Sequence, residues 1–320
     1  MATTSPAPDA DFTQLLRGPS YAWWKPVLAI PLVAVFMLVV SLVALLVGAA
    51  FDPRGFVEAF SDYGSSSPTV TPSFLLALNL SLAAGIPAAW FCVRVVHGLA
   101  IGFASSVVGR IRWRLLGWYT GAAALTLLVT LGASFLLPEE VMSSGGAGGE
   151  VAGSTAGSTL AFVLVLLLST PLQAAGEEYI FRGYLMQALG ALGRSSWFAV
   201  LVTAAAFAAV HGQQNLPLLA DRFAFGIVAG ITVVVTGGLE AALAMHVLNN
   251  LLALGLALVT GELGSALTVS EVSWWNLPIT LVQSLVFLAL VVRITRAQDV
   301  AARTPRIGRA EARPVESTLG

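Results

Sequence analysis

Two adjacent carboxylates, Glu177 and Glu178, sit inside apolar sequence in the run Ala174-Ala175-Gly176-Glu177-Glu178-Tyr179-Ile180-Phe181-Arg182. A carboxylate at membrane depth is costly, hence rare there and functional by default. On a helix, Glu178 and Arg182 are four residues apart and share a face, with the acid on the N-terminal side, the better orientation for a pair. Glu177 is rotated by about 100° around the same axis. The arginine can then neutralise one glutamate while the other points elsewhere. An unpaired carboxyl in low dielectric suits a general base working near neutrality. A structural ion pair at the membrane interface, with the second glutamate in water, would use the same residues without chemistry.

The chain has three histidines, and two of them close in on further apolar segments. His211 ends the run Phe207-Ala208-Ala209-Val210-His211, with Phe207 one turn earlier on the same face. His246 and Asn250 are likewise four apart, so both side chains can reach one cavity, with Asn249 less well aligned. That spacing suits two metal ligands or two oxyanion donors on one helix. The bland alternative is a set of polar side chains that cross-link membrane helices.

These side chains need a scaffold, and the composition says which kind. The chain is 57% hydrophobic and 10% charged, with a mean hydropathy of +0.85, the profile of a polytopic membrane protein. A net charge of -1 gives no reason to expect a nucleic-acid partner. Cys92 is the single cysteine, so neither an intramolecular disulfide nor a cysteine-based metal site can form. Lys25 is the only lysine in an arginine- and alanine-rich chain, a composition that points to a GC-rich bacterial genome, and the expected location is a bacterial plasma membrane. A spanning helix takes about 20 apolar residues. Hydropathy places about eight spans, near 26–50, 74–96, 115–137, 160–175, 197–210, 223–236, 239–259 and 277–292. The expected fold class is therefore an all-α transmembrane bundle. With no proline after Pro171, the fourth helix continues through the glutamates to about Leu192. A polar break from Gly212 to Arg222, including Asp221, separates the fifth and sixth spans, and Thr236-Gly237-Gly238 is a tight turn before the seventh.

Three regions follow: an N-terminal segment 1–24, a bundle 25–297, and a basic tail 298–320 expected to be disordered. Asp9 and Asp11 make the first segment unlike a cleavable signal peptide. The Gly- and Ser-rich stretch 143–158 reads as a flexible external loop. With the N-terminus inside, the cytoplasmic side collects Arg17, Lys25, Arg94, Arg110, Arg112, Arg114, Arg182, Arg194, Arg293, Arg296 and the tail arginines. Only Arg54 and Arg222 fall outside, so both termini are expected in the cytoplasm. Trp23-Trp24 and Trp274-Trp275 would anchor opposite faces.

The pattern Glu-Glu-x-x-x-Arg, then Phe-x-x-x-His, then His-x-x-x-Asn, on successive membrane helices, resembles the CPBP family of CAAX prenyl endopeptidases and bacteriocin-processing enzymes. The resemblance covers roughly 160–258, including the approach Thr236-Gly237-Gly238-Leu239-Glu240 to the last motif. It implies that Glu177 is the catalytic glutamate, that Glu178 and Arg182 support it, and that His211, His246 and Asn250 complete the site. It further implies hydrolysis of a peptide or membrane-protein substrate within the lipid bilayer. Glu177, His211 and His246 could hold zinc or another divalent metal with water in the open position. The same residues could equally activate water without an ion. No His-Glu-x-x-His zinc helix, Gly-x-Ser-Gly element or membrane aspartate pair occurs. The alternatives are a non-catalytic scaffold that binds peptides and a proton-coupled transporter; no internal repeat supports the latter.

Overall fold

The structure, a computed structural model, describes residues 5–63, 65, 68–134, 156–212 and 214–305. In chain order the helices are α1 (Trp24–Phe51), α2 (Pro53–Asp62), α3 (Pro72–Val96), α4 (Trp113–Ala133), α5 (Gly157–Gly193), α6 (Ser196–Ala209), α7 (Leu216–Thr236), α8 (Glu240–Thr260), α9 (Leu263–Leu267) and α10 (Asn276–Ala297). Seven of these are long and apolar enough to cross a membrane, and α6 is a shorter apolar helix. The expected all-α polytopic bundle is what forms. Among the described residues the only bridges between extended segments are Asp11 with Arg303 and Ser106 with Gly238. Helices satisfy their own backbone groups, which lipid cannot do for them.

Helix α5 lies centrally, packed against α3 on one side and α8 on another. α7 joins α6 to α10, while α4 closes on α8 and α10. α1 leans on α3 and leaves Leu38, Leu42 and Leu46 more than half exposed, a face suited to lipid. The fourth predicted helix does run through the glutamates, as expected, and ends at Gly193. Its closing turn is set by Arg194 in the left-handed region, whose N–H reaches the Gly190 carbonyl at 2.8 Å. Ser195 then caps α6 by accepting from Phe198 N at 3.2 Å.

Three expectations need correction. The break between the fifth and sixth spans is shorter than read, because Asn215 caps α7 (Leu218 N to Asn215 Oδ1, 3.1 Å) and Pro217 sits in its first turn. Asn215-Leu216-Pro217 is a helix start in its own right, so Asp221 and Arg222 lie in the helix rather than in a polar turn. The expected loop 143–158 lies outside the described residues up to 155; from Ala156 the chain is already helical. The tail is not disordered from 298. Thr304 N donates to the Ala10 carbonyl at 2.9 Å, and Ala10 N donates to Thr304 Oγ1 at 2.8 Å. The remainder of the tail, 306–320, lies outside the described residues. These pairings put the two terminal segments together on one face of the bundle. The N-terminal segment is also seated: Phe12, Leu15 and Leu16 are buried, and Arg17 Nε reaches the Ala191 carbonyl at the end of α5 (2.7 Å).

His97, just past α3, is the third histidine and packs away from the other two, with Nε2 3.2 Å from the Tyr184 hydroxyl. Burial, helped by the charge of Lys25, pushes its imidazole down to about 4. In the unfolded chain the ordinary value is about 6.5. The stability that neutral His97 contributes is therefore complete above about pH 6.5 and is lost as pH falls toward about 4. The melting temperature is expected to drop across that window, and His97→Asn should flatten the drop. An unchanged slope in the variant would assign it to other groups.

Candidate active site

Glu177 is carried to its position by a close crossing of α3 and α5. A Cβ on Gly176 would overlap the Leu82 carbonyl oxygen, and one on Gly85 would overlap the Gly176 carbonyl oxygen. Only glycine allows the two backbones to meet this tightly, one residue before the glutamate. The turn directly after the glutamates, Tyr179–Leu185, is π-helical. Such turns recur at functional sites, where they re-aim side chains.

The expected split between the two glutamates is present in the geometry. Glu178 is fully buried and takes Arg182 Nη1 at 2.9 Å. It also accepts from His246 Nδ1 at 2.7 Å, a contact spanning 68 residues of sequence. A carboxylate only accepts, so Nδ1 carries a hydrogen toward Glu178, and Nε2 faces the site. Glu177 is slightly open, with 12% of its side chain exposed, and its Oε2 lies 3.5 Å from that Nε2. Its other oxygen accepts from Gln173 Nε2 at 2.6 Å.

Phe207 ties the three motifs together. The Arg182 guanidinium lies 4.5 Å over its ring, and the rings of His211 and His246 are 4.7 and 5.9 Å from it. Its carbonyl accepts from His211 Nδ1 at 2.6 Å. The loop bearing His211 is stitched down by Gln214, which donates to the Ala208 carbonyl (2.6 Å) and accepts from Arg222 Nη1 (2.9 Å).

Depth explains how His211 arrives there. Glu177 is 16 residues from the end of α5, about 24 Å, and α6 climbs back about 21 Å before His211 follows. The hairpin therefore returns His211 to the level of Glu177. Arg182 is accordingly buried inside the bundle and leaves the count of topology charges. Arg112 leaves it as well, since its guanidinium forks onto buried Glu240 at 2.6 and 2.8 Å and holds the start of α8. The turn before α8 is closed by Gly237 at φ +66°, with the loop at Ser105–Val107 bonded onto it.

Asn250 is the one member of the expected set that turns elsewhere. Its Nδ2 donates to Gln173 Oε1 at 3.0 Å. Gln173, which sequence reasoning missed, lies one turn before Glu177 on the same face, a spacing that could have flagged it. Asn249 accepts from Gln283 at 3.4 Å and stays outside the site.

Among the described residues no group of three His, Cys, Asp or Glu side chains converges at metal-holding spacing. Glu177 Oε2 and His246 Nε2 face each other, but catalytic zinc takes three protein ligands. His211 does not complete the expected trio with them.

The site is thus a buried Glu–Arg–His cluster beside a second, slightly open glutamate, within a helical membrane bundle. Residues 158–252 match the family described as type II CAAX prenyl endopeptidase Rce1-like. That segment, which holds all six expected site residues, is thus similar to the Rce1-like family. It is similar to "Uncharacterized protein YyaK" of Bacillus subtilis (strain 168), at 26% identity over 172 residues, 52% of this chain and 55% of that protein. It is also similar to an "Uncharacterized 24.3 kDa protein" of Escherichia coli, at 28% identity over 144 residues, 44% of this chain and 63% of that protein. The chain therefore spans less than two thirds of the length of either relative. No solved structure gives a significant match.

Proposed function

We propose that the protein is an intramembrane endopeptidase that hydrolyses peptide bonds with Glu177 as general base. The observation that carries this reading is the division of labour between the glutamates. Arg182 and His246 hold Glu178, while Glu177 keeps Oε2 free 3.5 Å from His246 Nε2. Glu177 removes a proton from water as the water oxygen bonds to the substrate carbonyl carbon, and the carbonyl electrons move onto its oxygen. His211, whose Nδ1 is tied to the Phe207 carbonyl, turns Nε2 to the water and assists. His246 meets the oxyanion through Nε2, with Glu178 behind it stabilising the imidazolium this requires. The tetrahedral species then expels the amine as the C–N bond breaks, and the proton held by Glu177 passes to the leaving nitrogen.

Both relatives are bacterial proteins, which favours a leader peptide or membrane-protein segment over a prenylated CAAX protein as substrate. The arginine bias favours a site reached from the cytoplasm of a bacterial plasma membrane. The purified chain in liposomes is expected to cut membrane-anchored or leader peptides, with fragments identified by mass spectrometry. Peptide binding without any fragments would favour the scaffold reading instead. Full activity is expected after chelation, in protein shown metal-free by elemental analysis; loss on chelation and return with zinc would replace the ion-free scheme. A cysteine placed next to Glu177, in a Cys92→Ser background, is expected to label from the cytoplasmic side. Labelling from the external side alone would reverse the topology.

A further inference from the structure

We infer that Gln173 is the residue that positions Glu177, and that Asn250 acts on Glu177 through Gln173 rather than on the substrate. The inference rests on the protease reading above but on a separate set of contacts. Gln173 is 7% exposed on α5 and bridges two helices with one amide. Its Nε2 donates to Glu177 Oε1 at 2.6 Å, and its Oε1 accepts from Asn250 Nδ2 on α8 at 3.0 Å.

Polarity fixes the direction of every link. Glu177 as a carboxylate can only accept, so the Gln173 amide must present its nitrogen to it. Its oxygen then faces α8 and needs a donor, which the NH2 of the Asn250 amide supplies. The pair thus occupies Glu177 Oε1 and stops the carboxylate from swinging about its last bond. Oε2 is left as the basic oxygen, on the side of His246. A base held in one orientation gains rate because the reacting atoms are already aligned.

Helix α8 therefore controls both glutamates from one face. His246 holds Glu178 directly, and Asn250, one turn on, holds Glu177 through the Gln173 amide. This accounts for the four-residue spacing of His246 and Asn250 without asking both side chains to touch the oxyanion.

The test uses full-length protein and a peptide that the parent chain cleaves. Gln173→Met keeps the length but removes both hydrogen bonds, and is expected to lower kcat on the order of 100-fold with KM little changed. Asn250→Asp leaves no cavity but replaces the donor by an acceptor, which forces the Gln173 amide to turn its oxygen onto Glu177. It is expected to lower kcat as well, yet to cost nothing further in the Gln173→Met background. A KM effect alone, an unchanged kcat in Gln173→Met, or losses that multiply in the double variant would overturn the relay. Multiplying losses would return Asn250 to direct contact with the substrate. If the parent chain cleaves no peptide, the protease reading fails, and the relay is still read from melting temperatures of the same four proteins. Non-additive shifts there support it, and strict additivity overturns it.

Discussion

Replacing Glu177 by glutamine is expected to lower peptide hydrolysis by a factor of ~100 or more, because the amide keeps the size and loses the basicity of the carboxylate. The fold should survive. A neutral amide at this depth is less costly than a carboxylate, and Gln173 Nε2 still finds an oxygen to donate to. The variant should therefore extract, purify and melt like the parent while its turnover collapses with little change in KM. Cleavage at the parental rate would remove Glu177 from the role of base. Loss of both fold and activity would make it a structural group.

The largest effect on stability is expected at the neighbouring glutamate. Glu178 and Arg182 have no exposed side-chain surface and lie 2.9 Å apart. Removing one partner of such a pair strands the other charge, which costs on the order of 3–5 kcal/mol. Glu178→Ala should be the worse of the two for activity, because it also takes the anchor from His246 Nδ1. Arg182→Ala leaves that contact in place but removes the cation from above the Phe207 ring. The double variant should melt above the level predicted by adding the singles, since neither charge is then stranded. Additive losses in that cycle would mean that the two side chains do not act as a pair in the membrane.

Much of the local geometry was legible because helix periodicity is a local rule. The Glu178–Arg182 pair follows from a four-residue spacing on a segment too apolar to be anything but helix. The uninterrupted course of α5 through the glutamates follows from the lack of any proline after Pro171. The same rule, applied one turn earlier, points to Gln173. The start of α7 is also written locally, in the cap Asn215 and Pro217 behind it, a signal that outweighs the charges of Asp221 and Arg222. Arg222 is accommodated in the helix by donating to Gln214 Oε1 at 2.9 Å.

What the sequence determined by itself is the class of fold and the identity of the groups able to do chemistry. Apolar runs of spanning length must become helices, and carboxylates, imidazoles and a guanidinium inside them must be used or neutralised. Which group meets which was decided only in three dimensions. The His246–Glu178 bond joins residues 68 apart, the Arg112–Glu240 fork joins residues 128 apart, and the terminal segments meet across 294. None of these pairings has a periodicity to betray it. They depend on the α5–α6 hairpin bringing His211 back to the depth of Glu177, and on two glycines letting α3 and α5 touch at Gly176. Helix packing sets such distances to within a fraction of an ångström, and hydrogen bonds in a low-dielectric interior are made or lost on that scale.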